Sequence, residues 1–367
     1  MIAERTAQIG HPAMRSLTRA KLLGATVIRF LRIALLLLAL TSAGLTPLSA
    51  QGLGPIAYNK PNLLGDLDLW FIQPNGTGDT LVPITYNPGV CDQCPLLGAQ
   101  HPVWSRNGQL IAVTGLISGQ GFQHLAGGYA MVVFQPSNPT GTLTDLAPLG
   151  TVLGGGPAAF SPDGTQLAFT DPGPGFHEYR VINLDGSNPR NITLVPGEQV
   201  PFPGLDWSPT DAKTLVVSMV DRSLANVQGN TQLALVPPIE GGVSSARPLT
   251  QPPYNLRYVF SDVNPSFSPD GRFVAFSRFS QDLWSGVSWT DIRVIDVAQP
   301  GDRQGQLRLQ LPPGEFVGNL SWSAGGLVFD RQTQFGDGGG LWIYNGSSVV
   351  RLQQPPARNP AWSGASR

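Results

Sequence analysis

The residues best suited to redox or disulfide chemistry are Cys91 and Cys94, which form a C-x-x-C pattern. In a cytosolic protein with a neighbouring βαβ pattern, this spacing is typical of a thioredoxin-like redox site. No βαβ pattern surrounds it here. A zinc site would need further ligands, and although His101 is near, the chain has no second cysteine pair. We therefore expect a local structural disulfide between Cys91 and Cys94.

Three histidines follow residue 50, at His101, His124 and His177. Histidine is a common metal ligand and general base, so three converging histidines could serve an enzyme. Their spacing does not demand convergence, and no G-x-S-x-G nucleophile motif is present. We expect no metal site, no cofactor and no catalysis. A carbohydrate-active lyase or hydrolase that uses acids and these histidines is the alternative.

A third group of residues is suited to binding. Tyr, Trp and Arg are the side chains that most often anchor interfaces, and they are concentrated at 220–231, 251–263 and 278–289. These segments are also among the longest between the short apolar runs, and long loops often carry function. The predicted partner-binding residues are Arg222, Arg257, Tyr258, Asp262 and Trp284. The alternative is that some of these aromatics only pack the loops onto the fold.

The elements that must position these residues are short strands. After residue 50, runs rich in Val, Ile, Leu and Phe alternate with Gly, Pro, Asn and Asp clusters, and no segment sustains a helical period. Only 13% of the residues are charged, whereas an average globular domain has about a quarter. This pattern predicts an all-β fold.

One sequence unit recurs along the chain. Its strongest copies are GPAAFSPDGTQLAF at 156–169 and VNPSFSPDGRFVAF at 263–276. Ser-Pro-Asp-Gly fits a type I turn, which would join a strand A carrying the aromatic residue to a strand B. Strand C follows, for example LDLWFI at 67–72 and YAMVVF at 129–134, and then strand D, for example DTLVPIT at 79–85, RNITLV at 190–195, ARPLT at 246–250 and VVRLQ at 349–353. The aromatic–Ser pairs begin at Trp104, Phe160, Trp207, Phe267, Trp322 and Trp362.

Strand order determines which loops share a side of such a repeat. The B–C and D–A loops lie on one side, and the predicted binding residues and all three histidines fall in them or beside them. The A–B and C–D connections lie on the other side and are mostly tight turns. The repeat aromatics should pack between neighbouring units instead of binding a ligand.

The two ends of the repeat array are complementary. Residues 51–85 supply strands B, C and D without an A, and residues 358–363 supply an A with nothing after it. Together they complete one unit, and a ring closed in this way leaves no open sheet edge. We therefore predict a six-bladed β-propeller of four-stranded blades, closed by pairing of the N- and C-terminal strands.

The repeat unit P-x-[WF]-S-P-D-G-x-x-[LIV]-A-F resembles the WD40-like repeats of TolB-type propellers, and the resemblance covers the chain after residue 50. The copies at 104–108 and 322–326 depart from it, with Arg106 and Ala324 in place of Pro. The resemblance implies binding of proteins in the cell envelope; some relatives carry hydrolase domains or sugar-lyase sites. TolB also has a smaller α/β domain before its propeller. Residues 51–56 leave no room for one, so we expect a propeller alone.

The N-terminal segment has the pattern of an export signal. A basic stretch precedes the apolar run IALLLLAL at 33–40 and the small-residue segment TSAGLTPLSA at 41–50, as in secretory signal peptides. We predict a signal peptide at 1–50 and a single propeller domain at 51–367, with an uncleaved membrane anchor as the alternative for the first segment. The expected location is extracytoplasmic: periplasmic, cell-envelope or secreted.

The charge balance excludes one class of partner. Six of the 23 Lys and Arg residues and one of the 24 acidic residues lie at 1–50, so the rest of the chain has 17 basic and 23 acidic side chains, a net charge of −6. Nucleic-acid binding depends on dense Lys and Arg, so we expect none. We expect a monomeric, non-catalytic binding scaffold for a protein or envelope-associated partner, with membrane contact only through an uncleaved N-terminal segment.

Overall fold

The computed structural model describes residues 53–63, 65–86, 94–117, 129–137, 144–145, 157–173, 176–192, 204–220, 231–253, 255–301, 303–333 and 338–364. The chain divides between residues 49 and 50, and every described residue lies in the part Ala50–Arg367. This part is built from β-strands and a 3₁₀ turn at Gly242–Ser245, which confirms the all-β class. Within the described ranges, no helix is long and apolar enough to cross a membrane. The signal peptide prediction is not tested.

The strands pair antiparallel in sets of four, which we call modules and number along the chain. The first module combines both chain ends: β25 (Arg358–Trp362), β1 (Ile56–Pro61), β2 (Leu67–Ile72) and β3 (Thr80–Leu81). The second contains β5 (Cys94–Trp104), β6 (Ile111–Ile117), β7 (Tyr129–Phe134) and β8 (Thr144–Asp145), with β4 (Thr85–Tyr86) added beside β5. The third contains β9 (Ala158–Phe160), β10 (Gln166–Gly173), β11 (Phe176–Asn183) and β12 (Arg190–Asn191).

The remaining modules follow the same order. The fourth contains β13 (Leu205–Trp207), β14 (Leu215–Val220), β15 (Thr231–Val236) and β16 (Arg247–Pro248). The fifth contains β17 (Tyr258–Phe267), β18 (Phe273–Asp282), β19 (Ser288–Asp296) and β20 (Gln306–Gln310). The sixth contains β21 (Glu315–Ser323), β22 (Gly326–Thr333), β23 (Gly338–Tyr344) and β24 (Val349–Gln353). A parallel bridge between Thr231 and Ser261 joins the fourth and fifth modules into one sheet.

The predicted Ser-Pro-Asp-Gly turn joins the first two strands of a module. In the third module, the Gly164 amide donates to the Ser161 carbonyl at 2.9 Å. The Ser161 hydroxyl donates to Asp163 at 2.6 Å and accepts from the Gln166 amide at 2.9 Å. Gly164 has a φ of 71°, which glycine adopts at low cost. The repeat motif therefore encodes a local, self-satisfied turn.

The hydrophobic core is divided among the contacts between modules. The repeat aromatic of each module joins a cluster with the preceding one: Trp207 packs with Ala159, Phe267 with Val216, and Trp362 with Val328. Burial of such a side chain contributes about 1.5–3 kcal/mol. This agrees with the prediction that the repeat aromatics pack between units.

The chain ends pair as their sequences predict. Strand β25 lies antiparallel to β1, with Ile56 opposite Trp362 and Ala57 opposite Ala361. The Trp362 indole donates to the Gly54 carbonyl at 3.1 Å. The first strands of the modules also touch in the order β5, β9, β13, β17, β21, β25, and β25 in turn touches β5.

Two of the predicted long loops are partly strand, which corrects the sequence analysis. Residues 258–263 belong to β17 and pair with 277–282 of β18, so that Tyr258 stands opposite Asp282. Strand β19 already begins at Ser288, which leaves only 283–287 as the connecting hairpin turn. Aromatic and β-branched residues are common in 258–263 and favour strand formation. The outer strands β3, β12 and β16 are shorter than predicted, with two residues each.

Candidate functional site

The structure brings three of the five predicted binding residues together at one end of the fifth module. Arg257 and Tyr258 lie at the start of β17, and Trp284 lies in the turn between β18 and β19. The Cζ atom of Arg257 is 5.2 Å from the centre of the Tyr258 ring and 5.0 Å from that of the Trp284 ring. Both distances are within cation–π range. We call these three side chains the aromatic platform.

A carboxylate beneath the platform fixes the arginine. The Nε of Arg257 donates to both oxygens of Asp282 at 3.1 Å, and an Nη donates to Oδ2 at 2.5 Å. The Trp284 amide donates to the same carboxylate at 2.9 Å. The hydrogen bond from Arg257 holds the pKa of Asp282 well below its usual value, and the pKa of Arg257 is raised in return. The pair therefore stays ionised and its charges cancel.

The platform is surrounded by exposed apolar side chains. Trp284 is 79% exposed and Leu256 is 80% exposed. Leu283 and Val287, in the same turn, are also exposed, and the Leu283 amide donates to the Arg257 carbonyl at 2.8 Å. On the other side, Tyr258 meets Trp289 edge-on, with ring centres 6.1 Å apart. Several exposed apolar side chains beside an aromatic–arginine cluster are typical of interaction sites.

Asp262 is not part of this surface. Its side chain is fully buried and forms a two-pronged ion pair with Arg278, at 2.6 and 2.9 Å. Arg278 also donates to Gln304 at 2.9 Å. In this structure Asp262 cannot contact a partner, because the fold already uses both of its oxygens. Arg222 lies outside the described residues.

The other predicted sites are only partly described. Cys91 lies outside the described residues, so the disulfide is not tested. His124 also lies outside them, and His177 is in β11 with its side chain undescribed. Among the described side chains, no group of three or more His, Cys, Asp or Glu residues could hold a metal ion.

A second feature is a central cavity of about 100 Å³, which is lined by His101 and by the first strands of the modules. Loss of hydration lowers the His101 pKa to about 4, so its imidazole is neutral at physiological pH. His101, Asn264 and Asn359 occupy equivalent positions beside strand bulges and have φ of 47°, 51° and 50°. Asn tolerates this left-handed conformation better than most residues.

Amide side chains link the cavity wall across modules. Asn264 donates to the Gly318 carbonyl at 2.8 Å, and Asn319 donates to the Asn359 side chain at 2.7 Å. Asn359 donates to Asn59 at 3.1 Å, and Asn59 donates to the Ala99 carbonyl. The sequence analysis did not identify this chain of amides. The sequence does contain a signal for it: an Asn lies three residues before the repeat aromatic in three successive copies, at Asn264, Asn319 and Asn359.

No protein-family model matches the chain, and no curated protein is significantly similar to it in sequence. Solved structures resemble it in fold. TolB from Acinetobacter baumannii superposes with a TM-score of 0.58 and 18% identity, over 84% of this chain and 66% of that one. The chain thus spans slightly less than two thirds of that TolB structure.

Two further structures are similar. Hydrazine synthase from Kuenenia stuttgartiensis has a TM-score of 0.55 and 10% identity, over 86% of this chain and 47% of that one. A putative TolB from Agrobacterium tumefaciens has a TM-score of 0.48 and 15% identity, over 71% of this chain and 82% of that one; that score is too low to support an argument. The likeness to TolB confirms the predicted TolB-like β-propeller resemblance, and at these identities it concerns the fold alone.

Proposed function

We propose that this protein is an exported, non-catalytic propeller scaffold that binds a protein partner of the cell envelope through its aromatic platform. The observation that carries the proposal is the exposed indole of Trp284, held beside Arg257 and Tyr258 on a buried carboxylate. A rigid aromatic anchor loses little conformational entropy on binding. Its surroundings are apolar and its arginine is neutralised, which suits an uncharged, apolar patch on the partner.

The scaffold in this proposal is a closed six-bladed ring, with each module forming one blade. Support comes from the pairing of β25 with β1 and from the cyclic order of contacts among the first strands. Such a ring would hold the platform at the ends of paired strands, where the turn with Trp284 joins β18 to β19. We propose that the protein is a monomer and that it lies outside the cytoplasm. The export signal pattern at 1–50 supports this location.

The binding proposal is tested with the double variant Tyr258→Ala/Trp284→Ala in the full chain. The wild-type chain should capture a specific protein from an envelope extract, and the captured protein should bind again after purification. Loss of two aromatic anchors should weaken that binding at least about 30-fold, since one such residue contributes 2 kcal/mol or more. The melting temperature Tm should change by only a few degrees.

A matched control is Leu307→Ala/Val350→Ala, which removes two side chains that are about half exposed on other strands and should leave binding intact. Normal binding by the platform variant would refute the proposal, and so would its unfolding, because the aromatics would then be packing residues. Loss of a polysaccharide-cleaving activity in His124→Ala/His177→Ala would replace the proposal with the enzyme alternative.

A further inference from the structure

Two residues depart from the repeat at different positions in different modules. Two places after the repeat aromatic, the third, fourth and fifth copies have Pro, whereas the second has Arg106. One place before the aromatic, five copies have small or apolar residues, whereas the fourth has Asp206. These departures introduce opposite charges into positions where the repeat normally has none.

Replacement of Pro by Arg106 leaves its turn intact. The Gly108 amide donates to the Ser105 carbonyl at 2.9 Å, and the Leu110 amide donates to the Ser105 hydroxyl at 2.8 Å. The same bonds form in the third module, where the turn contains Pro162. The arginine therefore adds a long cationic side chain without altering the backbone.

The two departures meet across the cavity. One Nη nitrogen of Arg106 lies 3.3 Å from each oxygen of Asp206 and donates to the Trp207 carbonyl at 2.9 Å. Arg106 belongs to the second module and Asp206 to the fourth, so the contact passes the third. Both residues line the central cavity, together with Pro157 and Ala158 of that intervening module. The short side chains there leave room for the arginine.

Asp206 extends the connection to the fifth module. Its Oδ2 accepts from the Phe267 amide at 2.7 Å, and its Oδ1 accepts from the Trp207 amide at 2.8 Å. Serine does the same in the next modules: Ser266 accepts from the Trp322 amide, and Ser321 accepts from the Trp362 amide, both at 3.0 Å. Asp206 thus makes the first of three equivalent hydrogen bonds between successive modules. Unlike the two serines it carries a negative charge, which needs a positive partner.

The geometry points to Arg106 as a strut across the central cavity, which neutralises Asp206 and thereby ties the second module to the fourth and fifth. A carboxylate in this position costs stability unless it is paired. The strut also places a guanidinium at the turn end of the cavity wall.

The test is a double-mutant cycle in the full chain with Arg106→Met and Asp206→Asn. Arg106→Met keeps the aliphatic stem and leaves Asp206 unpaired, so it should lower Tm by roughly 4 °C. It should also speed hydrogen exchange of the Phe267 amide by about tenfold. In the Asp206→Asn background the carboxylate charge is gone, so adding Arg106→Met should change Tm by no more than about 1 °C.

The matched control is Arg272→Met. Arg272 is also 3.3 Å from its carboxylate, Asp296, but it is 66% exposed, and a surface pair of this kind contributes little. Additive effects of the two variants would overturn the strut, as would an Arg106→Met effect no larger than that of Arg272→Met. If Arg106→Met does not fold, Arg106→Lys takes its place in the cycle with the same criteria, because a single ammonium lacks the arginine fork.

Discussion

A single residue type can serve binding or folding, and Asp262 shows how structure separates the two. Its sequence neighbours include the platform residues Arg257 and Tyr258, so the sequence groups it with them. In the structure it points inward and pairs with Arg278, 16 positions away. Removal of one member of a buried pair of this kind typically costs 3–5 kcal/mol. The platform could be predicted from residue types, but the direction of each side chain depends on strand register, which the residue types do not specify.

Asp330 is a second buried carboxylate whose environment has a measurable consequence. It is fully buried and accepts from the Asn319 amide at 2.6 Å and from the Gln332 side chain at 2.7 Å. These hydrogen bonds only partly offset its loss of hydration, which raises its pKa from 3.8 to about 6. The folded protein therefore binds this proton more tightly than the unfolded chain does.

The expected result is that the contribution of Asp330 to stability falls as pH rises through its titration. The contribution is fully present below about pH 4 and is lost by the time pH exceeds about 6. Its size is about 3 kcal/mol, from about two pKa units. Denaturant unfolding of the wild type and of Asp330→Asn should be measured from pH 4 to pH 7, and the unfolding free energy of the wild type minus that of the variant should fall by this amount. Burial of neutral His101, whose pKa is lowered to about 4, gives both proteins the same opposite trend, which cancels in the difference.

Asp185→Asn is the control for the Asp330 experiment. Hydrogen bonds from Ser187 lower the pKa of Asp185, which lies in an exposed turn. Asp185 therefore contributes stability above about pH 4 and loses it as pH falls. Asp185→Asn should alter the pH dependence of stability only below about pH 4 and leave the slope between pH 4 and pH 7 unchanged. An identical slope in Asp330→Asn and the wild type would show that Asp330 does not titrate in this range.

At the level of elements, the sequence predicted the inner strands of a module better than most of its outer strands. Strands β2, β7 and β24 occupy the predicted residues, because their apolar runs are bounded by turn residues. The outer strands β3, β12 and β16 are shorter than predicted, since an edge strand has a pairing neighbour on one side only, whereas the outer strand β24 is complete. Strands β17 and β18 extend past the motif because Tyr258 and Asp282 continue the pairing. This cross-strand register has no local sequence signal.

The terminal strand β25 should contribute strongly to the stability of the fold. Deletion of residues 358–367 removes the partner of β1 and the buried Trp362 indole. Loss of a buried large aromatic alone costs about 3–5 kcal/mol, so the truncated chain should have a sharply lower Tm by calorimetry. Trp362→Ala should reproduce a large part of that loss.

Val350→Ala is the matched control for the terminal strand. Val350 lies in β24 of the neighbouring module and is 53% exposed, so its loss should shift Tm only slightly. A truncated chain with the Tm of the wild type would mean that β25 does not complete the first module in solution.

At the scale of the whole molecule, the hydrophobic core lies between neighbouring modules. The six hydrophobic clusters of the described residues each combine neighbouring modules, so no module has a core of its own. The offset between the chain ends predicted the pairing of β25 with β1. The contact between Arg106 and Asp206 could not be predicted in this way, because it joins positions 100 residues apart that no repeat relates.

This sharing of cores predicts how residues 51–367 unfold when they are produced without 1–50. A module that unfolds alone would expose the apolar faces of both neighbours, so unfolding should occur in one cooperative transition with coincident fluorescence and circular dichroism curves. In the proposed closed ring, Trp362→Ala weakens the junction of the chain ends, and an open array unfolds more like a series of neighbouring repeats. Its transition should become broader as well as lower. Two separate transitions in the unmodified 51–367 chain would contradict a single closed domain, and an equally sharp transition in Trp362→Ala would show that closure contributes nothing to cooperativity.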